Sequence, residues 1–336
     1  MKKKKILVLG ATGAMGVYLV PVLLSMGYAV DGVSLDTCVS DHKDLRYIKA
    51  NALAEGALAR LVDGGYDAIV DFMVYNTESF RTASPLLLNA TDHYIYLSSY
   101  RVYANEETPI RETSPRLLDV SRDAEFLRSD DYALHKARGE DILRASGKTN
   151  WTVVRPTITY SKRRFQLVIH EASTLVNRAR EGKLLVLPKE AMGVEATMSW
   201  AGDVATMIAR LVCNREAFGE AYTLATAEHQ PWGTVASYYE KLIGLRYVTV
   251  EKEDFLRAFD AEMPISFRWQ LDYDRLFDRA VDNRKILTAT GMKQSELMPL
   301  YEGLHRELSA LPADFRFYNS PRNASLDAFL AERSMK

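Results

Sequence analysis

The sequence predicts an α/β fold, a doubly wound parallel sheet joined to a smaller, mainly helical C-terminal region. Three observations predict it. Through roughly the first 160 residues, short β-rich runs alternate with helical patterns; a glycine-rich turn follows the first of those runs; and after about residue 160 the rhythm shifts to longer helices rich in aromatics. Strands of four to six apolar residues separated by helices imply βαβ units, whose sheet is covered on both faces and whose crossovers are right-handed.

In order, strands are expected at residues 5–9, 29–33, 45–49, 68–72, 93–97 and 151–155, with amphipathic helical stretches at 15–26 and 52–61 among the intervening segments. Tyr132 opens a helical pattern that runs to about Ala145, with Asp130 as its N-cap. Beyond 160 come a helical run at 165–180, a strand at 184–187, a segment at 196–201, a helix at 203–212 and a strand at 222–224. The final stretch, with Trp269, Tyr273, Phe277 and Phe315, reads as mostly helical. No internal repeat, low-complexity tract or flexible linker interrupts the chain.

At 336 residues the chain is long enough for one large domain and a smaller one. With 47% hydrophobic and 26% charged residues it has the composition of an ordinary globular protein. A formal net charge of −1 gives no global field to hold nucleic acid or anionic lipid, so neither partner is expected. Cys38 and Cys213 stand in no paired spacing, which fits a reducing, cytoplasmic setting and argues against a disulfide framework or a cysteine-ligated metal. No metal site is expected. The run Lys2–Lys5 resembles the basic start of a signal peptide, but the apolar residues after it stop at Gly10, too soon for a signal sequence. It reads as a solvated lead-in to the first strand. No stretch reaches the roughly 20 apolar residues that span a bilayer.

Gly10, Gly13 and Gly16 stand at three-residue spacing directly after the first strand. Gly10 suits a tight turn, Gly13 a close approach of backbone to a pyrophosphate, and Gly16 close packing of helix on strand. The N–H groups at the start of the helix then face the phosphates. Thr12, Ala14 and Met15 complete this cofactor turn. The sheet is therefore expected to be Rossmann-like and to bind a dinucleotide. Residues 1–160, with a returning segment at about 190–225, would form that domain; about 161–190 and 226–336 would form the substrate-binding region. After the second strand, Ser34 occupies the usual acidic position and Asp36 follows, with no arginine immediately after to clamp a 2′-phosphate. NAD is the expected cofactor, with NADP left open, and Asp36 reads equally well as a turn-forming residue.

Tyr132 and Lys136 lie at i and i+4, so a phenol and an ammonium share one helix face. A free tyrosine, with a pKa of about 10, is a poor base at neutral pH, and a neighbouring cation makes it a better one. Upstream, the strand ending Leu97-Ser98-Ser99 would bring Ser99 to the carboxyl edge of the sheet, where ligands bind. Its hydroxyl could hold the oxygen that reacts.

Together these residues resemble the extended short-chain dehydrogenase/reductase family, also called the NAD-dependent epimerase/dehydratase family. The resemblance rests on the glycine turn, Ser98-Ser99-Tyr100-Arg101-Val102-Tyr103 and the Tyr132/Lys136 pair. Further along it takes in Asn51-Ala52 at the adenine position, Phe72-Met73-Val74 beside the cofactor and Arg155-Pro156, whose proline neighbours the nicotinamide. Asp203-Val204-Ala205 and Asp282-Asn283-Arg284-Lys285 complete it. It implies a catalytic triad of Ser99, Tyr132 and Lys136, with Lys136 also bonding the nicotinamide ribose. Family members pair through helices, so a homodimer is an expectation.

Departures from the family narrow the chemistry. The family's 4,6-dehydratases carry Thr-Asp-Glu where this chain has Ser99-Tyr100-Arg101, so water elimination is not expected. Thr157-Ile158-Thr159 replaces the asparagine-bearing stretch that helps hold nucleotide-sugars, which weakens that substrate class without removing it. Lys162-Arg163-Arg164 reads as a solvated loop or as a clamp for a substrate diphosphate. His135 and Asp71 read as helix surface and strand end. The leading expectation is an oxidoreductase or epimerase acting by hydride transfer on a hydroxyl or carbonyl carbon of a small molecule, a nucleotide-sugar among the candidates. A reductase of a small carbonyl compound and a non-catalytic dinucleotide sensor or RNA-binding protein are the alternatives.

Overall fold

The structure is a computed structural model and describes residues 3–259 and 265–334. Seven strands form the central sheet: β1 (Lys5–Leu9), β2 (Ala29–Ser34), β3 (Leu45–Lys49), β4 (Tyr66–Asp71), β5 (Thr91–Leu97), β6 (Trp151–Pro156) and β7 (Glu220–Leu224). Their order is β7-β6-β5-β4-β1-β2-β3, and every pairing is parallel. The order reverses at the β1–β4 neighbours, which is where a doubly wound sheet opens a crevice beyond its carboxyl ends. Leu9 lies opposite both Val33 and Asp71, so β1, β2 and β4 end level with one another.

Both faces of the sheet are covered, which is why its strands are almost continuously apolar. On one face Ile6, Val8, Val30, Val70 and Ile95 cluster with Leu19 and Leu23 of α1 (Gly16–Ser25) and with Met207 and Ile208. On the other, Leu7, Leu9, Ile69 and Tyr94 cluster with Leu58 and Leu61 of α2 (Ala57–Val62) and with Phe80 and Leu87 of α3 (Thr77–Asn89). Leu143 of α4 (Tyr132–Ala145) joins them. Successive strand residues thus serve opposite layers. Each such large side chain contributes about 1.5–3 kcal/mol by leaving water.

The chain divides into two compact units. One takes in the residues up to Thr159 together with Ala201–Ala225 and Asp282–Leu297; the other takes in Tyr160–Trp200, Thr226–Val281 and the residues from Met298 on. Asp282–Leu297 therefore belongs with the sheet, although its helical pattern alone placed it in the second region. Asn283 supplies the reason: its side-chain amide donates to the Ala225 carbonyl (3.1 Å), directly after β7. The helices Ala201–Leu211 (α5) and Arg284–Thr290 (α6) complete this unit's covering layer.

Several local expectations are corrected. The helix expected at 165–180 begins only at Ala172; before it, Gln166–Leu167 and His170–Glu171 pair antiparallel around Val168, whose φ of +53° no helix accommodates. Arg275 Nε holds that turn by donating to the Val168 carbonyl (2.8 Å). The helix expected at 52–61 starts at Ala57, because Gly56 precedes it at φ +65°. Within the supposedly helical final stretch, Arg246–Val250 is a strand, parallel to Leu184–Pro188. The N-cap of α4 is Asp131, whose carboxylate accepts the Ala133 N–H (2.9 Å), and not Asp130. Asp130 instead accepts the Thr77 N–H (2.8 Å) and an Arg138 N–H (3.0 Å), tying the start of α3 to the start of α4.

Candidate active site

At the end of β1 the chain turns into α1 with no side chain capping the helix start. Its first amides are thus left for a ligand's phosphates. Gly10 has φ +88°, and a Cβ there would lie 2.9 Å from Met73 Cε and 3.1 Å from Phe72 Cβ. A Cβ on Gly16 would fall 2.6 Å from the Ala11 carbonyl carbon. Neither position accepts a side chain, so the turn is a cradle of bare backbone. Gly13 closes it by donating its N–H to the Gly10 carbonyl (3.1 Å), and Ala14 and Met15 lead on into the helix.

Thr12 Oγ1 lies 2.5 Å from Ser34 Oγ and donates to Asp36 Oδ2 at 2.7 Å. A carboxylate therefore faces the glycine turn from the end of β2, where it suits a ribose hydroxyl and opposes a 2′-phosphate. Ala52 is buried after β3, while Asn51 is exposed with its Oδ1 accepting the Leu53 N–H (3.0 Å). Phe72 and Met73 leave β4 beside Gly10, and Pro156 is buried at the end of β6. These residues lie around the carboxyl ends of one sheet, and the cradle they form fits a dinucleotide.

The reactive side chains come from the end of β5 and the first turns of α4. Lys136 has no exposed surface, and its Nζ donates to the Leu97 carbonyl at 2.7 Å, two residues before Ser99. The same Nζ lies 5.7 Å from the centroid of the half-buried Tyr132 ring and 5.1 Å from that of Tyr96. Burial pushes the ammonium down to about 8, and the carboxylates of Asp71 and Glu140 hold it from falling further. Ser99 is buried, and its Oγ accepts the Arg101 N–H at 3.2 Å. Strand end, helix face and phenol are thus gathered about one ammonium.

Glu140 and Arg101, to which sequence reasoning gave no role, and Asp71, which it read as a strand end, support this arrangement. Glu140 is fully buried one turn below Lys136. Its carboxylate accepts the Ser98 hydroxyl (2.6 Å), Arg155 Nε (2.8 Å) and Arg155 Nη2 (2.6 Å). Burial alone would raise the Glu140 carboxyl, but Arg155 and Ser98 outweigh it and hold it below the usual range. Asp71, the last residue of β4, is also buried and accepts hydrogen bonds from Tyr94 (2.9 Å), Tyr75 (3.0 Å) and the Met73 N–H (2.9 Å); burial raises it. Arg101 lies with its guanidinium carbon 5.0 Å from the Tyr132 centroid. The available signal was a carboxylate at i+4 from Lys136 and a strand ending in aspartate.

His135 is not a surface residue. It is buried edge-on to Tyr132, with 5.3 Å between ring centroids, and its Nδ1 is 3.2 Å from the Asp130 carbonyl. Burial, and then Lys136, push its imidazole below the usual range. The Thr77–Asp130 link brings α3 to this end of α4, so the helix has no solvent side here. His170, expected on a helix, sits in the short strand before one, with Nε2 2.8 Å from the Val186 carbonyl.

The family model for NAD dependent epimerases and dehydratases matches residues 6–225. The chain belongs to the NAD dependent epimerase/dehydratase family. Its match runs from β1 through β7 and so takes in the glycine cradle, Ser99, Tyr132 and Lys136. The expectation of NAD agrees with the family's cofactor. Among curated proteins, the chain is 22% identical over 270 residues to the chloroplast stem-loop binding protein of 41 kDa b from Arabidopsis thaliana, covering 72% of this chain and 64% of that protein. Its fold is shared with an epimerase from Methanothermobacter thermautotrophicus (TM-score 0.68, 15% identity, 92% of this chain and 93% of that one). It is shared also with UDP-glucuronic acid 4-epimerase from Bacillus cereus, solved with UDP-glucuronic acid and NAD (TM-score 0.66, 17% identity, 91% and 98%). A short-chain dehydrogenase/reductase superfamily protein from Agrobacterium tumefaciens, solved with bound NAD, has TM-score 0.62 and 16% identity, covering 99% of this chain and 100% of that one. Among the described residues of this family member, no helix is long and apolar enough to cross a membrane.

Proposed function

We propose that the chain is an NAD-dependent epimerase acting on a nucleotide-sugar, with Tyr132 as the acid/base, Ser99 as the hydroxyl that positions the reacting oxygen, and Lys136 as the cation beside both. The observation that carries this reading is the Lys136 ammonium. Its bond to the Leu97 carbonyl (2.7 Å) and its place 5.7 Å from the Tyr132 ring fix one charge between the phenol and the serine-bearing strand end. A structural lysine gains nothing from full burial, since desolvating an ammonium is costly. The glycine cradle around Gly10, Gly13 and Gly16 would hold NAD, which would supply the acceptor and donor of hydride for the carbinol carbon. Tyr132 takes the hydroxyl proton as the carbinol carbon is oxidised and returns it to the same oxygen as the carbon is reduced from its opposite face, so the sugar ends inverted and the proton count unchanged. Asp36 at the turn supports NAD over its 2′-phosphorylated form, and the unit from Tyr160 on that lies outside the sheet is the substrate-binding part.

Structurally similar proteins, a UDP-glucuronic acid 4-epimerase among them, were solved with UDP-sugars and NAD, which supports the substrate class. The test loads the purified protein with NAD, adds a panel of UDP-sugars, and follows both the near-ultraviolet absorbance of reduced nicotinamide and the epimer ratio. Interconversion of one epimer pair is expected, with Tyr132→Phe slowing it by about 10²- to 10⁴-fold. Turnover unchanged by Tyr132→Phe would end the reading. A nucleic-acid role is the second reading, favoured by the similarity to the stem-loop binding protein. RNA stem-loop binding at physiological salt, unaffected by Tyr132→Phe and without sugar turnover, would put it first.

A further inference from the structure

We propose that a cavity between α2 and the edge strand β3 is a second ligand site of the sheet-bearing unit, and that it takes a small carboxylate with an apolar body. The site is independent of the sugar chemistry proposed above. β3 ends the sheet on one side, and α2, with only six residues, is a short cover for it. A cavity of about 320 Å³ remains there, at the lower end of the range of small-molecule sites. Arg46, Ile48 and Ala50 line it at the two-residue spacing that puts side chains on one face of a strand. Ala57, Arg60 and Leu61 line it at the i, i+3, i+4 spacing of one helix face. The cavity also reaches Tyr66, the first residue of β4, and so extends toward the amino ends of the strands, whereas the Gly10 turn stands at their carboxyl ends.

Floor and charge together define the ligand. Ile48, Ala50, Ala57 and Leu61 supply apolar surface. The carboxylate of Asp31, buried in β2, is already in use: it accepts Arg46 Nε (3.0 Å), Arg46 Nη2 (2.5 Å) and the Tyr66 hydroxyl (2.8 Å), and Lys5 Nζ lies 3.1 Å from it. Lys5 Nζ also sits 4.6 Å from the centroid of the Tyr66 ring, so it belongs to the same rim. One carboxylate thus serves two cations, and Arg60 is the third. Among the described residues no carboxylate, carbonyl or ring partners the exposed Arg60 guanidinium. Its planar fork matches a carboxylate, and the carbon body of such a ligand would cover the apolar floor. A bare phosphate would meet the guanidinium and leave the floor wet, while a neutral hydrocarbon would do the reverse. At this volume the occupant is one small molecule and not a peptide strand.

The test measures binding of octanoate, octanamide and inorganic phosphate to the NAD-loaded protein by calorimetry, for the wild type, Arg60→Met and Arg60→Lys. The wild type should bind octanoate about tenfold more tightly than octanamide, the lower range of a charge-assisted hydrogen bond, and phosphate more weakly than octanoate. Arg60→Met should bring octanoate and octanamide level, and Arg60→Lys, a point charge without the fork, should recover part of the difference. Because the readout is a ratio of two ligands on one protein, a general loosening of the fold cancels. Arg60→Met should leave NAD affinity within about twofold of wild type, since the cavity lies off the cofactor turn. Absence of octanoate binding, equal binding of octanoate and octanamide by the wild type, or a preference that survives Arg60→Met overturns the proposal. So does displacement of NAD by octanoate, which would put the fatty acid in the cofactor crevice, and so does phosphate binding as tight as that of octanoate.

Discussion

Lys136 is stabilised poorly where it stands, and that has a measurable consequence. Its folded-state value near 8 lies below the 10.5 of a free lysine, so the unfolded chain binds more protons between those two pH values. The cost of burying the charge is therefore fully present below about pH 8 and is relieved as pH rises toward 10.5. Lys136→Met should raise stability in urea titrations at neutral pH by about 1–3 kcal/mol, an advantage that shrinks above pH 8, while abolishing turnover. Glu140 behaves in the opposite sense. Glu140→Leu leaves the buried Arg155 guanidinium without its carboxylate and should cost about 3–5 kcal/mol, most of it recovered when Arg155→Met is added. Helix periodicity put Tyr132 and Lys136 on one face, and the run ending at Ser99 read as a strand end; only the family resemblance joined the three. Glu140 was not legible, and Asp71 reads only as a strand end: the partners that give them meaning, Arg155 and Tyr94, arrive from other strands.

At the scale of elements, α4 carries a constraint in its middle. A Cβ on Gly139 would fall 2.8 Å from Tyr96 Cζ, and nearer still to the hydroxyl. Helix propensity alone favours Gly139→Ala by about 1 kcal/mol. Overpacking against a buried ring costs about 1–3 kcal/mol, so the clash should win and the variant should melt lower, with Tyr96→Phe restoring part of the loss. Thermal unfolding of the two single variants and the double variant checks this; a Gly139→Ala protein more stable than wild type would refute it. The strands of the central sheet were legible to within two residues at each end, since continuous apolar runs have one reading in a covered parallel sheet. The turn at Val168 was not, because a β-branched residue at positive φ contradicts local preference and is held from a distance by Arg275.

Across the whole molecule, each compact unit buries a histidine that must stay neutral. His93 of β5 accepts the Cys213 N–H (3.0 Å) and faces Thr152 Oγ1 (2.8 Å), and burial pushes it down to about 4; His170 is pushed as far for the same first reason. Both folded values lie below the unfolded 6.5, so the unfolded chain takes up the protons first as pH falls. Stability is intact above 6.5 and declines toward 4. At about pH 5 each site should have cost about 2 kcal/mol relative to pH 8, before most carboxylates titrate. Urea midpoints across that range should fall; a flat profile would contradict the burial of both rings. The division into two units has its own outcome. The chain leaves the sheet-bearing unit after Thr159, returns for Ala201–Ala225, leaves, and returns once more for Asp282–Leu297. A protein stopped at Thr159 would lack the edge strand β7 and two covering helices, so its apolar sheet face would lie bare. Such a fragment should aggregate during synthesis, and a ribosome must release nearly all of the polypeptide before the cofactor domain can close.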